Sequence, residues 1–396
     1  MALSLRPIGL ACAAAVLASS LCGLAFADTG PDLKAVAASM VKAGLVKPDD
    51  KVQINGGVRD MPLLENLFIE SMKLGAHPLI TVDSQKLNRR SFDEVPAAFD
   101  SQVAQLDQAL VDLFDVQLSV EIGEAEDMMA GVPAARIAAR SAAFQPVMAA
   151  FLKKGVRVVN LGNGLYPTPA LAKRFDISQA QLSATFWKAA MASPELIRAK
   201  GDSMLGAFTG GKEVTLSAPN GTQIRFAVAA DKGYVSDGTV TAAGLQQGGV
   251  ATQTWLPAGE LLMPVLLGTA EGKVVIDRLG FLGTRVEGLT LNFSQGVLTS
   301  MTAKSGLAAV KALYDASTGS KENFAYLDIG LNPAAKFPTD KGRVVWMAPG
   351  AVTIGLGDNT AWGGTNVSSF GLAGPITAAS LSVDGKVLIK GGALVP

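Results

Sequence analysis

Between residues 33 and 206, helical and extended hydrophobic patterns take turns along the chain. Leu33 to Ala43 repeats its apolar residues at helical spacing, and Lys51-Val-Gln-Ile-Asn55 is a short strand closed by Gly56-Gly57. Met61 to Leu74 is helical again, with Leu63, Leu64, Leu67, Phe68 and Met72 on one face. Pro78 to Val82 reads as a strand, Gln102 to Phe114 as a helix and Val116 to Ile122 as a strand. Pro133 to Lys154 is a long helix, and Val156 to Asn160 a buried-type strand. Strands that alternate with helices and carry continuous apolar runs predict a parallel sheet covered on both faces. Helices over 178–191 and 194–206 close this half.

After Gly210-Gly211 the pattern shortens. Lys212 to Ser217 and Thr222 to Val228 alternate like a hairpin around Pro219-Asn-Gly221. Strand-like pieces follow at Gly272–Ile276, Leu289–Phe293 and Val297–Thr302, then a helix at Gly306–Tyr314. Strands return at Phe324–Ile329, Val344–Met347, Val352–Leu356 and Val387–Ile389. The fold class expected is α/β: an N-terminal domain over 28–206 with a parallel sheet covered by helices, followed by a β-rich α+β domain over 207–396.

Residues 1–27 follow neither pattern. A positive start to Arg6, an uncharged Ala/Leu-rich stretch from Ile8 to Phe26 and the small-x-small site Ala25-Phe26-Ala27 read as a signal peptide cleaved before Asp28. Both cysteines, Cys12 and Cys22, fall in that leader, so the mature chain has no disulfide, no thiolate nucleophile and no Cys-ligated metal. A cysteine-free exported chain suits the bacterial periplasm. The longest uncharged stretches, 238–259 and 359–383, are rich in Gly, Thr, Ser, Gln and Asn, so no second membrane span is expected.

Hydrophobic residues make up 49% of the chain and charged residues 17%, enough to fill a core. Lys plus Arg and Asp plus Glu balance at 34 each, leaving no basic field for nucleic acid. The chain has one histidine, His77. That count excludes catalytic zinc sites built on two or three imidazoles, and His77 before a strand makes a poor triad member. Gly162-Asn-Gly164 lacks the third glycine of a phosphate loop and reads as a turn. Ser39-Met-Val-Lys42 has the Ser-x-x-Lys spacing of some hydrolases, yet lies on an amphipathic helix where such pairs arise by chance. Glu260, in the turn Leu256-Pro-Ala-Gly-Glu260, is either an exposed turn residue or a carboxylate held near a buried centre; the sequence favours the first.

Several stretches, taken in order, resemble the thermophilic metallo-aminopeptidase family of the aminopeptidase T and aminopeptidase S type. They are Tyr166-Pro-Thr-Pro169, Trp255-Leu-Pro-Ala-Gly-Glu260 with Pro264, Gly272-Lys-Val-Val-Ile276 and Arg285-Val-Glu-Gly-Leu289. Asp328-Ile-Gly-Leu-Asn-Pro333, Ile354-Gly-Leu-Gly357 and Val383-Asp-Gly-Lys386 complete the set. The resemblance implies dimeric enzymes that remove N-terminal residues from peptides with two metal ions in the C-terminal domain.

Of the ligands the resemblance implies, one glutamate is present as Glu260. The next falls on Tyr326, a histidine on Thr353, a tyrosine near Thr360, and a His-x-Asp pair on Phe370–Ala373, where Gly371 and Ala373 take up the late positions. Residues 359–383 hold no Asp, Glu, His, Lys, Arg, Tyr or Cys. Asp328 and Asp358 could join Glu260 as a residual carboxylate set for one Mg²⁺ or Ca²⁺; otherwise no cofactor is expected.

The chain therefore reads as an exported aminopeptidase-like homodimer without metallopeptidase activity. It would bind a peptide or a small polar ligand through Trp362, Asn366, Ser368 and Phe370. The alternative is a metal-dependent aminopeptidase or other hydrolase that uses the residual carboxylates.

Overall fold

The apolar runs of the first half become the strands of a parallel sheet: β1 (Lys51–Gly57), β2 (His77–Asp83), β3 (Val116–Val120) and β4 (Arg157–Leu161). A computed structural model describes residues 31–123, 128–210, 213–336 and 345–396, so the expected leader lies outside the described residues. Helices α1 (Leu33–Ala43) and α2 (Met61–Lys73) cover one face, where Val52, Ile54, Leu118 and Val159 are buried. Asp32 caps α1 by accepting from Lys34 N–H at 3.0 Å, satisfying a donor the helix itself cannot. The other face is polar. Gln117 donates to Gln53 at 2.9 Å and Asn55 to Thr81 at 3.1 Å, so half-buried amides stand where continuous apolar cover is expected. Helices α3 (Gln85–Glu94), α4 (Gln105–Leu113) and α5 (Ala134–Lys154) follow.

After β4 the chain turns through Gly162-Asn163-Gly164 into α6 (Pro169–Phe175), α7 (Gln179–Ala190) and α8 (Pro194–Gly206). In Tyr166-Pro-Thr-Pro169, Thr168 caps α6 and Pro169 occupies its first turn, while the Tyr166 hydroxyl donates to buried Asp60 at 2.9 Å.

The rest of the chain is mostly antiparallel. In order come β5 (Glu213–Ser217), β6 (Gln223–Ala227), β7 (Tyr234–Ser236), α9 (Ala242–Gln247), β8 (Gln253–Leu256), β9 (Glu260–Pro264), β10 (Glu271–Phe281) and β11 (Thr284–Ser294). Then come β12 (Val297–Thr302), α10 (Leu307–Ala316), β13 (Phe324–Gly330), β14 (Val352–Gly357), β15 (Gly371–Ile376), β16 (Ser380–Val383), β17 (Lys386–Lys390) and β18 (Ala393–Leu394). One sheet runs β12-β11-β10-β6-β5-β16-β17-β18, and a second runs β15-β14-β13-β9-β7; the core between them includes Phe226, Phe293, Phe324, Ile276 and Ile354. Strand β8 belongs to neither. It pairs in parallel with β4 and completes the first sheet in the order β2-β1-β3-β4-β8, so a segment from beyond 207 finishes the N-terminal sheet.

The strand expected over 344–347 is absent from its described part. Val345–Met347 form a turn whose Met347 carbonyl accepts from Asn332 N–H at 2.8 Å, and Val345 and Met347 are buried against the parallel-sheet core. The apolar run there fills a core without joining a ladder.

Candidate functional site

Strand alternation gathers the site on one face of the β15-β14-β13-β9-β7 sheet. Ser236 pairs with Glu260, Asp328 with both Leu262 and Thr353, and Tyr326 with Gly355. Ser236, Glu260, Tyr326, Asp328 and Thr353 therefore share a side of the pleat, with Asp328 beside Thr353 and one diagonal step from Glu260. All but Tyr326 are buried, and Tyr326 is half-buried. The exposed-turn reading of Glu260 is corrected: it opens β9 with 6% of its surface accessible, because the turn before it is covered from both sheets.

Asn163 holds Glu260 in place. Its side-chain amide donates to Glu260 Oε2 at 2.8 Å and to the Pro257 carbonyl at 3.0 Å. The turn that aims it needs its glycines. Gly162 has φ +145°, and a Cβ there would lie 2.3 Å from Glu121 Cβ. Glu121 in turn accepts from Gly164 N–H at 2.7 Å.

Among the described residues no Lys, Arg or His forms an ion pair with Glu260 or Asp328. Burial without a counter-charge disfavours the ionised form. It lifts Glu260 to about 7, the Asn163 hydrogen bond partly opposing it. Burial first, and then the charge of Glu260, hold Asp328 well above the usual carboxylate range. The Tyr326 phenol is pushed up by burial and by both acids. Asp328 Oδ1, Ser236 Oγ and Thr353 Oγ1 are buried with no hydrogen-bond partner, as are Gln253 Nε2 and Thr254 Oγ1 on β8.

Aromatic rings wall this face. The Tyr326 ring lies across β14, so close that a Cβ on Gly355 would come within 2.1 Å of it. Trp362 stands 5.6 Å from Tyr326 and 5.4 Å from Trp255, centroid to centroid. Of the four binding residues expected from sequence, Trp362 alone stands among these rings.

The other three are structural. Asn366 donates to the Ser320 carbonyl at 2.8 Å and accepts from Asn323 at 2.7 Å, so its amide staples a loop. Ser368 bonds the Thr318 carbonyl and the Phe370 N–H, at 3.1 and 3.0 Å. Phe370 is 1% exposed and packs edge-on against Tyr314 at 5.2 Å. Asp358 does not join Glu260 and Asp328. It follows Gly357, whose φ of +92° turns the chain off the strand, and its carboxylate accepts from Thr360 N–H at 3.1 Å and Ser368 N–H at 3.0 Å. Sequence reading missed Asn163, set aside as part of a turn, and Ser236. A polar residue between two glycines at a strand's C-terminal end was the available signal for the first.

These donors do not fit the two-metal centre that the family resemblance implies. Zinc and cobalt favour imidazole and carboxylate together; this face offers two carboxylates, hydroxyls and a phenol. No group of three or more His, Cys, Asp or Glu suited to a metal occurs among the described residues.

Comparison with known proteins agrees on the scaffold. The sequence profile of the thermophilic metalloprotease (M29) family matches residues 30–203, a span that ends before β7, β9, β13 and β14. AmpT from Thermus thermophilus superposes with a TM-score of 0.69 at 17% identity, covering 92% of this chain and 99% of that one. The 2,5-dihydroxypyridine dioxygenase of Pseudomonas putida KT2440 superposes at 0.54 with 12% identity, covering 92% and 96%. A search of curated sequences returns no match. Residues 30–203 match the thermophilic metalloprotease (M29) family in sequence, and the chain as a whole shares the fold of AmpT.

Proposed function

We propose that this chain is a non-catalytic member of the family, exported and homodimeric, that binds a peptide or small polar ligand at the Glu260–Asp328 face. The observation that carries the reading is the donor set: Tyr326 and Thr353 stand beside two acids that have no cationic partner among the described residues. Without imidazoles there is neither a zinc-class electrophile nor a metal-activated water, each worth several kcal/mol of barrier lowering. The fold does not decide the matter, since one neighbour is named as a dioxygenase. Metal analysis of the purified protein, with turnover of aminoacyl-nitroanilides in added Zn²⁺ or Co²⁺, tests it. Stoichiometric zinc together with metal-dependent release of N-terminal residues would refute the reading.

A second reading is a hydrolase that uses one Mg²⁺ or Ca²⁺ on Glu260 and Asp328, favoured by their placement on one face. Activity restored by these ions after chelation, and lost in Asp328→Asn, distinguishes it. Export predicts a periplasmic form beginning at Asp28, read by N-terminal sequencing. The dimer predicts twice the monomer mass in solution.

A further inference from the structure

Away from the two acids, α8, β7 and α9 enclose a cavity of about 360 Å³ that neither Glu260 nor Asp328 lines. Helix α8 packs against Val235, whose side chain alternates with that of Ser236 along β7; a Cβ on Gly201 would lie 2.3 Å from Val235 Cγ1. Asp202, Thr241 and Gln247 line the cavity and are exposed, so it opens to solvent. Small-molecule sites span roughly 300–1,000 Å³. At the low end of that range there is room for a small metabolite.

Arg198, on α8, is held ready in the cavity wall. Its Nε donates to Asp237 Oδ2 at 2.9 Å. Asp237 is 5% exposed and is itself fixed, its Oδ1 accepting from the Thr239 backbone N–H at 2.9 Å and the Thr239 hydroxyl at 2.8 Å. The terminal nitrogens Nη1 and Nη2 make no hydrogen bond among the described residues. Asp202, one helical turn on, does not take them up: its Oδ1 stays 3.9 Å from Nη1. Other pairs at this spacing close to 2.8 Å for Arg89–Asp93, 2.7 Å for Arg90–Glu94 and 2.8 Å for Lys311–Asp315. The anchor on Asp237 holds the guanidinium short of its helical partner and leaves a fork of donors that suits a carboxylate.

Charge decides what fills the space. Asp237 already balances Arg198, so Asp202 carries a surplus negative charge, which an anion alone would leave unanswered. A cation alone would meet the guanidinium. A ligand that carries both signs close together alternates with the pair. In an α-amino acid the ammonium nitrogen and the nearer carboxylate oxygen lie about 3 Å apart from bond lengths and angles alone, a spacing comparable with the 3.9 Å between Arg198 and Asp202. Leu205, Val235 and Ala251 supply an apolar wall. We infer that this cavity binds a free α-amino acid with an apolar side chain, its carboxylate on Arg198 Nη1 and Nη2, its ammonium on Asp202 and its side chain against Leu205 and Val235. This is a second site, and it does not rest on the Glu260–Asp328 face.

Titration calorimetry of the full mature chain with L-leucine tests this. The comparison probes are 4-methylpentanoate, which lacks the ammonium, and 3-methylbutylammonium, which lacks the carboxylate. Each is expected to bind at least about tenfold more weakly than leucine. Asp202→Asn, at an exposed position, is expected to weaken leucine about tenfold and to leave 4-methylpentanoate no weaker. Arg198→Lys keeps a counter-charge for Asp237 but removes the fork, and is expected to weaken both leucine and 4-methylpentanoate about tenfold. Should Arg198→Lys lose its native circular dichroism, Asp202→Asn decides alone. Unchanged leucine affinity in either folded variant, 4-methylpentanoate binding as tightly as leucine, or no binding of leucine overturns the inference. A blocked peptide that binds where leucine does not overturns it too, and leaves the proposed function standing.

Discussion

Replacing Glu260 by glutamine should stabilise the protein at neutral and alkaline pH. The carboxyl sits at about 7 in the fold against 4.5 in the unfolded chain, with burial as the main cause. Each tenfold change in proton affinity is worth about 1.4 kcal/mol, so ionising Glu260 inside the fold costs about 3 kcal/mol once the pH is well above 7. The sign follows from the direction of the shift. A group held above its unfolded value contributes its stability in full below pH 4.5 and loses it as pH rises through about 7. Between about pH 5 and 8 the native protein should therefore lose about 2–3 kcal/mol from this group. Asp328, raised by burial and by Glu260, acts in the same direction. Acids held low by arginine, such as Asp100 at about 2, are already ionised across that window and add no slope. Glu260→Gln keeps a carbonyl to accept from Asn163 and removes the charge. The assay is thermal unfolding in EDTA across the window, where about 3 kcal/mol is about 4 °C for a chain of this length. A native midpoint that climbs from pH 5 to 8, or a variant less stable than the native protein at pH 8, would show that Glu260 is not buried without a counter-charge.

Asn163→Ala should move the Glu260 titration further up, since the lost hydrogen bond favours the ionised form, and infrared or NMR titration of the carboxyl reads this directly. Asp100→Asn should cost about 3–5 kcal/mol in urea unfolding, because Arg136 at 2.5 Å and Arg140 at 2.7 Å both converge on a carboxylate that is 5% exposed. Phe370→Ala should cost about 3–5 kcal/mol as a fully buried aromatic, whereas half-buried Trp362→Ala should cost less and act mainly on ligand affinity. Equal stability losses in the two variants, by the same urea assay, would place Trp362 in the core.

The sequence carries the scaffold well where periodicity is strong. Helix Leu33–Ala43 falls on the residues its pattern predicts, because Val36, Ala37, Met40, Val41 and Ala43 form one buried face and Gly44 stops it; strand Val297–Thr302 also falls where expected, although none of its residues is fully buried. Helix α3 escaped notice because Phe92 is its only buried residue, which leaves no apolar stripe. Strands β7, β8 and β15 escaped for another reason. Gly371-Leu-Ala-Gly-Pro-Ile376 is broken by glycine and proline, and the other two are three and four residues long, so local propensity is silent and pairing decides. At the site, Glu260 and Asp328 were found by their place in ordered motifs, but their burial comes from strands far apart in the chain. Asp358 and Asn366 were misplaced for the converse reason: they look available in a stretch without charge, yet their polar atoms are taken up by neighbouring loop backbone.

Under the proposed ligand-binding role, the course of residues 253–264 bears on how a ligand would reach this face. Within twelve residues the chain completes the parallel sheet as β8, turns at Pro257-Ala-Gly259 and enters the antiparallel sheet as β9, with Glu260 as its first residue. That turn is anchored on both sides, by Asn163 on the Pro257 carbonyl and by Asn332, which donates to the Ala258 carbonyl at 2.6 Å. The two sheets are thus sewn together at the acid itself, and a wide hinge between them would have to tear that seam. On the proposed role, admission would then rest on smaller movements, such as a swing of the half-buried Trp362 ring. Ligand capture at such a gate should be limited by side-chain rotation rather than by domain closure.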